Sequence, residues 1–243
     1  MRLGDQMDLR SRFVGELRRM DGGRVLDLPP NRVAEAVRAV LGLAGAGIVM
    51  MDRLVRLPVA AAGEHVSEAE QLQVTLGDGP CIAAAELGEP LVSSELELAG
   101  RWPMYHAALV TRTPYRGTLT LPLTRADGHV FAALDAYSTD PVPELHQPLD
   151  VVQAAVGPIV AMLLLGALAG DEQQLLWPPN EQLRQRQQVW LAVGMIQESS
   201  AVSDLDALAI LRGYAFRTDH LLDAVVDDLV HGLLTTSQVL AAV

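Results

Sequence analysis

The single cysteine, Cys81, and the 6 histidines at positions 65, 106, 129, 146, 220 and 231 are where this 243-residue chain could carry nucleophilic, redox or metal chemistry. One thiol allows no intramolecular disulfide, no CxxC redox pair and no cysteine-based zinc site. No two histidines stand at a metal-ligand spacing, so no metal is expected. The run "LGDGPC" (76–81) reads as a tight turn, because a phosphate-cradling loop would continue into Gly-Lys-Ser/Thr. Cys81 accordingly reads as a small buried residue. His106, beside Trp102 and Tyr105, could be imagined as a haem ligand, yet a lone histidine is more commonly solvated or hydrogen-bonded. Trp102, Tyr105, Phe131, Asp135 and Tyr137 together offer an apolar wall with a few polar groups, the composition of a ligand pocket. The same side chains would equally fill a core. No catalytic residue and no cofactor is expected, and the chain does not read as an enzyme.

The elements that must position these residues belong to a chain that is 50% hydrophobic, enough for a sizeable core. Its net charge of −12 excludes a general DNA-binding surface, since phosphate neutralisation needs clustered cations. All 18 basic residues are arginine. The amino terminus carries acidic residues and lacks an apolar core, so it does not read as a secretory signal, and a cytoplasmic location is the expectation. The uncharged run "VVQAAVGPIVAMLLLGALAG" (151–170) has the length of a membrane span. Gln153, Pro158, three glycines and flanks without arginine favour instead a helix buried between its own domain and a partner subunit, with no membrane contact.

The patterning divides the chain in two. Residues 1–29 form a polar lead-in with an amphipathic helix over 8–20. "PPN" (29–31) then supplies a stop and an Asn31 cap for the next helix. Strand-like runs at 46–52 and 55–61 are joined through Arg53–Leu54. Two short helices follow within 67–90, then a short strand at 91–94 and a helix over 101–112 carrying Pro103 in its first turn. The strands 116–124 and 129–138 flank "RADG", an Asp-Gly hairpin signal. This order is that of an α+β domain on an antiparallel sheet, residues 30–170. A second "PPN" (178–180) closes a linker, 171–180, with Asn180 as the next cap. Residues 181–243 show only helical periods: Val189, Ala192, Val193 and Ile196; then Ala207, Leu208, Leu211 and Ala215; then Leu222, Val225, Val226, Leu229 and Leu233. Three amphipathic helices make a small all-α module.

The helical module resembles the ANTAR domain, the RNA-binding output of AmiR- and NasR-type antitermination regulators. Arg186, Val189, Ala192 and Gly194 match its first motif. Ala207, Leu211, Arg212, Tyr214 and Ala215 match the second, and Leu222 with Val225 the third. The resemblance implies hairpin RNA as partner, with Arg186, Arg212 and Arg217 on the matching helices as its contacts. The small residues Ala192, Gly194, Ala207 and Ala215 then set helix packing. The family usually has lysine where Val193 stands, and basic side chains where His220, Leu221 and Asp223 stand. From Asn180 onward there are four arginines against eight acids. A second reading therefore stays open, a dimeric protein-interaction module that no longer binds RNA.

The larger half resembles a GAF domain, through "LGDGPCIAAAELGEPLV" (76–92), "RWPMYHAAL" (101–109) and "TLPLTRADGHVFAALDAYS" (120–138). That resemblance implies a six-stranded antiparallel sheet, a pocket for a small-molecule ligand on one face, and a homodimer through terminal helices. The whole would be a signal-responsive regulator acting in transcription antitermination.

Overall fold

The computed structural model describes residues 3–21, 28–51, 56–169 and 181–242, with the side chains of 3–7, 21, 167–169 and 181–186 outside that description. Helix α1 (Leu3–Asp21) is longer than its expected core and buries Leu9, Phe13 and Leu17, one residue per turn. Helix α2 (Pro30–Leu41) begins at Pro30, where a missing N–H costs nothing. The cap position belongs to Pro29, not to Asn31 as expected. Asn31 sits inside the first turn, and its Oδ1 accepts the Ala61 N–H at 3.0 Å, tying the helix to the sheet.

Strands β1 (Gly45–Met51) and β2 (Arg56–Ala62) pair antiparallel, with the Arg53–Leu54 connection outside the described residues. Helices α3 (Val66–Leu76) and α4 (Pro80–Leu87) lead to the short strand β3 (Leu91–Ser93). The single helix expected over 101–112 is two, α5 (Glu95–Arg101) and α6 (Pro103–Arg112). Trp102, at φ −134° and ψ 65°, breaks them because a residue before proline is disfavoured in helical geometry. Strands β4 (Gly117–Thr124) and β5 (Val130–Ser138) form the expected hairpin, with Gly128 at φ 84° in its turn. Helix α7 (Leu149–Ala169) follows.

The sheet has order β2-β1-β5-β4-β3 and is antiparallel throughout, with five strands rather than the six expected. The chain between β2 and β3 goes into α3 and α4, which leaves nothing there for another strand. Strand alternation splits the residues cleanly. Ile48, Leu119, Leu121, Leu134 and Ala136 face one side and merge with α1, α2 and α7 in the main core. Helix α7 is the one described helix long and apolar enough to cross a membrane, and here it is a core element. Val152, Ala155, Val156, Val160 and Leu164 are buried, while Pro158, Met162 and Gly166 form a narrow exposed stripe.

The carboxy-terminal helices are α8 (Glu181–Ser200), α9 (Asp204–Arg217), α10 (Leu222–Val230) and a fourth that the periodicity did not foretell, α11 (Thr236–Leu240). The linker 171–180 and its Asn180 lie outside the described residues. The three predicted stripes form one core, with one exception: Leu233 is 78% exposed. Helix α10 ends before it, with Gly232 at φ 74°, and a Thr235–Gln238 capping box starts α11 instead. Gly194 is a second correction. It is exposed, and a Cβ there would meet nothing within 4 Å, so it sets no packing. Ala192, Ala207 and Ala215 are fully buried as expected.

Candidate functional site

The second face of the sheet is polar where an ordinary core would be apolar. Along β5, Asp135 and Tyr137 project toward α3, opposite Thr120 and Thr118 of β4 and Gly47 and Gly45 of β1. Helix α3 lays Glu70 and Gln73 over them, α4 contributes Cys81, and α6 brings Tyr105. All of these side chains are buried. Thr120 donates to Asp135 Oδ1, and Cys81 N–H donates to Gln73 Oε1 at 2.9 Å. Tyr115 stacks on Tyr137 with ring centroids 4.8 Å apart. Gly47 makes this possible, since a Cβ at that position would stand 2.2 Å from Glu70 Oε1. Glycine in a strand interior marks such a close approach.

Glu70 is the least compensated member. Neither of its oxygens has a hydrogen-bond partner, and burial, reinforced by Asp135, pushes its carboxyl well above the usual range. Burial also raises Asp135, opposed by the Thr120 hydroxyl. The Cys81 thiol is pushed up by burial and then by Asp135, which keeps it protonated and a poor nucleophile. Phenols at Tyr105 and Tyr137 are raised for the same first reason, burial. The result is a closely packed, solvent-excluded cluster of acids and phenols. Its protonated thiol and raised phenols make it a poor setting for nucleophilic chemistry. Among the described residues no group of three His, Cys, Asp or Glu could hold a metal.

Three of the five residues expected in a pocket, Tyr105, Asp135 and Tyr137, meet in this cluster. Trp102 packs beside it with Tyr105 and Tyr137, the Arg101 guanidinium 4.4 Å over its ring. Phe131 is not part of it and joins the main core on the opposite face. Leu123 pairs with Ala132 and Thr124 with Val130, so Phe131 is the extra residue of a bulge that re-aims it. Glu70 and Gln73 were missed. Their signal was position: both fall on the buried phase of α3 with Val66 and Ala69. His106 Nε2 faces Glu95 Oε1 at 3.5 Å.

The outer side of α3 carries the helical module. Val74 is buried in that module's core, Gln71 donates to Asp223 Oδ2, and Thr75 Oγ1 accepts the Leu222 N–H at 2.9 Å. Arg112 of α6 donates to the Asp219 carbonyl at 2.9 Å. Arg212 Nε donates to the Val74 carbonyl at 3.1 Å. That carbonyl lies in the last turn of α3, where helix carbonyls lack partners and a cation meets the negative end of the dipole. Gly77, at φ 68°, gives the guanidinium its room, because a Cβ would stand 2.8 Å from Nη1. Of the three arginines assigned to RNA, Arg212 is thus engaged with the first domain. Arg217 is exposed, and the Arg186 side chain lies outside the described ones.

A GAF domain model matches residues 31–159, more than half of the chain, and the protein belongs to the GAF domain family. Its fold is similar to the GAF domain of a phosphoenolpyruvate-protein phosphotransferase from Acinetobacter, at 14% identity and a TM-score of 0.50, covering 71% of this chain and 99% of that one. The corresponding GAF domain from Coxiella burnetii gives 15% identity and a TM-score of 0.47 over 65% of this chain and 94% of that one. A free methionine-R-sulfoxide reductase from Neisseria meningitidis, in complex with its substrate, gives 17% and 0.41 over 66% and 84%. At these identities the likeness concerns the fold alone. No curated protein matches the sequence.

Proposed function

We propose that the chain is a signal-responsive regulator. Its GAF domain senses a small ligand at the polar sheet face, and its helical module is an ANTAR-like output that binds hairpin RNA in transcription antitermination. The observation that carries this reading is the double duty of α3. Glu70 and Gln73 pack from it into the buried polar cluster, while Val74 and Thr75 hold the helical module. A ligand that shifts α3 changes both surfaces at once, which is the differential contact a switch requires. The arrangement described is the held state, because Arg212 caps α3 and is not presented outward. The working unit is a homodimer joined along the α7 stripe of Pro158, Met162 and Gly166; light scattering on the dilute protein should read two chains, and one chain would refute that part.

The test is hairpin-RNA binding by the whole protein across a salt series. Once Arg212 is released from α3, Arg186, Arg212 and Arg217 are the working cations and the log–log slope should be roughly −2 to −3 per subunit. Arg217→Gln should flatten it by about one unit of phosphate contact. Absence of hairpin binding at low salt would overturn RNA output. It would leave the second reading, a protein-interaction module, which the excess of acids beyond Asn180 and the engagement of Arg212 favour.

A further inference from the structure

Between the two modules, outside the buried polar cluster, lies a cleft of about 430 Å³. Its size is that of small-molecule sites. Leu76 of α3 and Met104 of α6 wall it on the GAF side, Phe216 and Arg212 of α9 on the other. Met104 and Phe216 are about half exposed, a poor use of large apolar side chains unless something covers them. Tyr105 lines the cleft and belongs also to the polar cluster, its hydroxyl buried without a partner.

The positive charge at the cleft is only loosely compensated, Asp78 and Glu86 acting on Arg56 without an ion pair to Arg212. Among the described residues no carboxylate lies within salt-bridge distance of Arg212, and its Nη2 is buried with no hydrogen-bond partner. Arg56 of β2 stands within electrostatic reach, with its own Nε buried and unpartnered. Burial and then this second cation lower the Arg212 pKa to about 10. Two crowded, half-buried guanidiniums cost the docked state free energy that a single negative charge would return. Asp78, also on the cleft wall, disfavours a dianion there.

We propose that this cleft binds a small organic carboxylate with a flat apolar body, its carboxylate on Arg212 and its body between Met104 and Phe216. Because such a ligand touches both modules, it binds the docked arrangement alone and stabilises it. It therefore holds the output in check, which rests on the regulator reading above, whereas the site itself does not. Arg212 is the specificity-determining contact, and the forked guanidinium matches a carboxylate with two donors.

The probe is 2-naphthoate, with 2-naphthamide as neutral isostere, titrated into the full chain by calorimetry. Naphthoate should bind with a Kd on the order of 1 mM or tighter, as expected for a fragment of its size. The amide should bind roughly 10- to 100-fold more weakly, as should naphthoate to Arg212→Gln, the loss expected for a charged hydrogen bond. Gly213→Leu is the second variant. Gly213 lines the cleft, and a Cβ there meets nothing within 4 Å, so a leucine side chain starts into open space on the cleft wall and should block binding, with circular dichroism checking that the variant is folded. Equal affinity for acid and amide, or naphthoate bound unchanged by Gly213→Leu, or no binding to the wild type at about ten times that Kd, would overturn the proposal. Hairpin-RNA affinity is read separately. Naphthoate binding without RNA binding would sink the regulator reading and spare the site, and the reverse pattern would do the opposite.

Discussion

Replacing Glu70 by methionine should stabilise the protein, and by an amount that grows with pH. The side chain is fully buried and neither oxygen is hydrogen-bonded. An unsatisfied polar group of this kind costs about 1–3 kcal/mol, and methionine has similar volume without that cost. The pH dependence follows from the raised carboxyl. Below the ordinary value of 4.5 both folded and unfolded chains hold the proton. Above it the unfolded chain releases the proton and the folded chain does not, so stability falls as pH rises toward the raised folded value. The slope is about 1.4 kcal/mol per pH unit for one retained proton. Asp135, raised by burial to about 6, is in direct interaction with Glu70, so its own titration changes in the variant and adds curvature to the difference near that pH. Urea unfolding followed by circular dichroism from about pH 5 to about pH 8 would then show the two stability curves diverging, with the variant on top. Parallel curves, or a variant less stable than wild type at the alkaline end, would refute a protonated Glu70 held in an unsatisfied site.

Further outcomes follow from the same geometry. Gly47→Ala should cost about 1–3 kcal/mol of stability, because the new Cβ collides with Glu70 Oε1, and a Glu70→Ala background should recover most of it in a double-mutant cycle. Val193→Lys buries a charge at a position only 2% exposed, and should destabilise the helical module by about 3 kcal/mol or more, seen as an early unfolding transition. Cys81, fully buried with its thiol pKa pushed up, should react with an aromatic disulfide reagent only at the rate of unfolding, and a fast native reaction would contradict its placement.

Periodicity and turn chemistry carried most of the fold. The α9 stripe of Ala207, Leu208, Leu211 and Ala215, the Asp-Gly hairpin and the long apolar helix were all legible because each signal is local. What was illegible depended on partners distant in sequence. Asn31 looks like a cap until Ala61, thirty residues on, is there to take its side chain. Phe131 shares strand parity with Asp135 and Tyr137, and only the pairing register with β4 exposes the bulge that turns it away. Tyr105, Asp135 and Tyr137 were recognisable by type. Glu70 was not, because a carboxylate on a helix is ordinarily a solvated residue, and here the sheet face and Gly47 receive it. Arg212 stood in a motif that implied RNA, while its structural partner, the Val74 carbonyl, belongs to another domain.

Docking of the helical module onto α3 is the claim on which the rest depends, and cross-linking tests it most directly. Gln71 and Asp223 touch across that junction, so cysteines at both positions, in a Cys81→Ser background, should be bridged within one chain by a short bis-maleimide. The account predicts rapid, intramolecular cross-linking, read by mass spectrometry of the digested monomer, and suppressed when Val74→Asp removes the shared core contact. Cross-links formed only between chains, or a rate no faster than that of a control pair on opposite faces of the sheet, would contradict it.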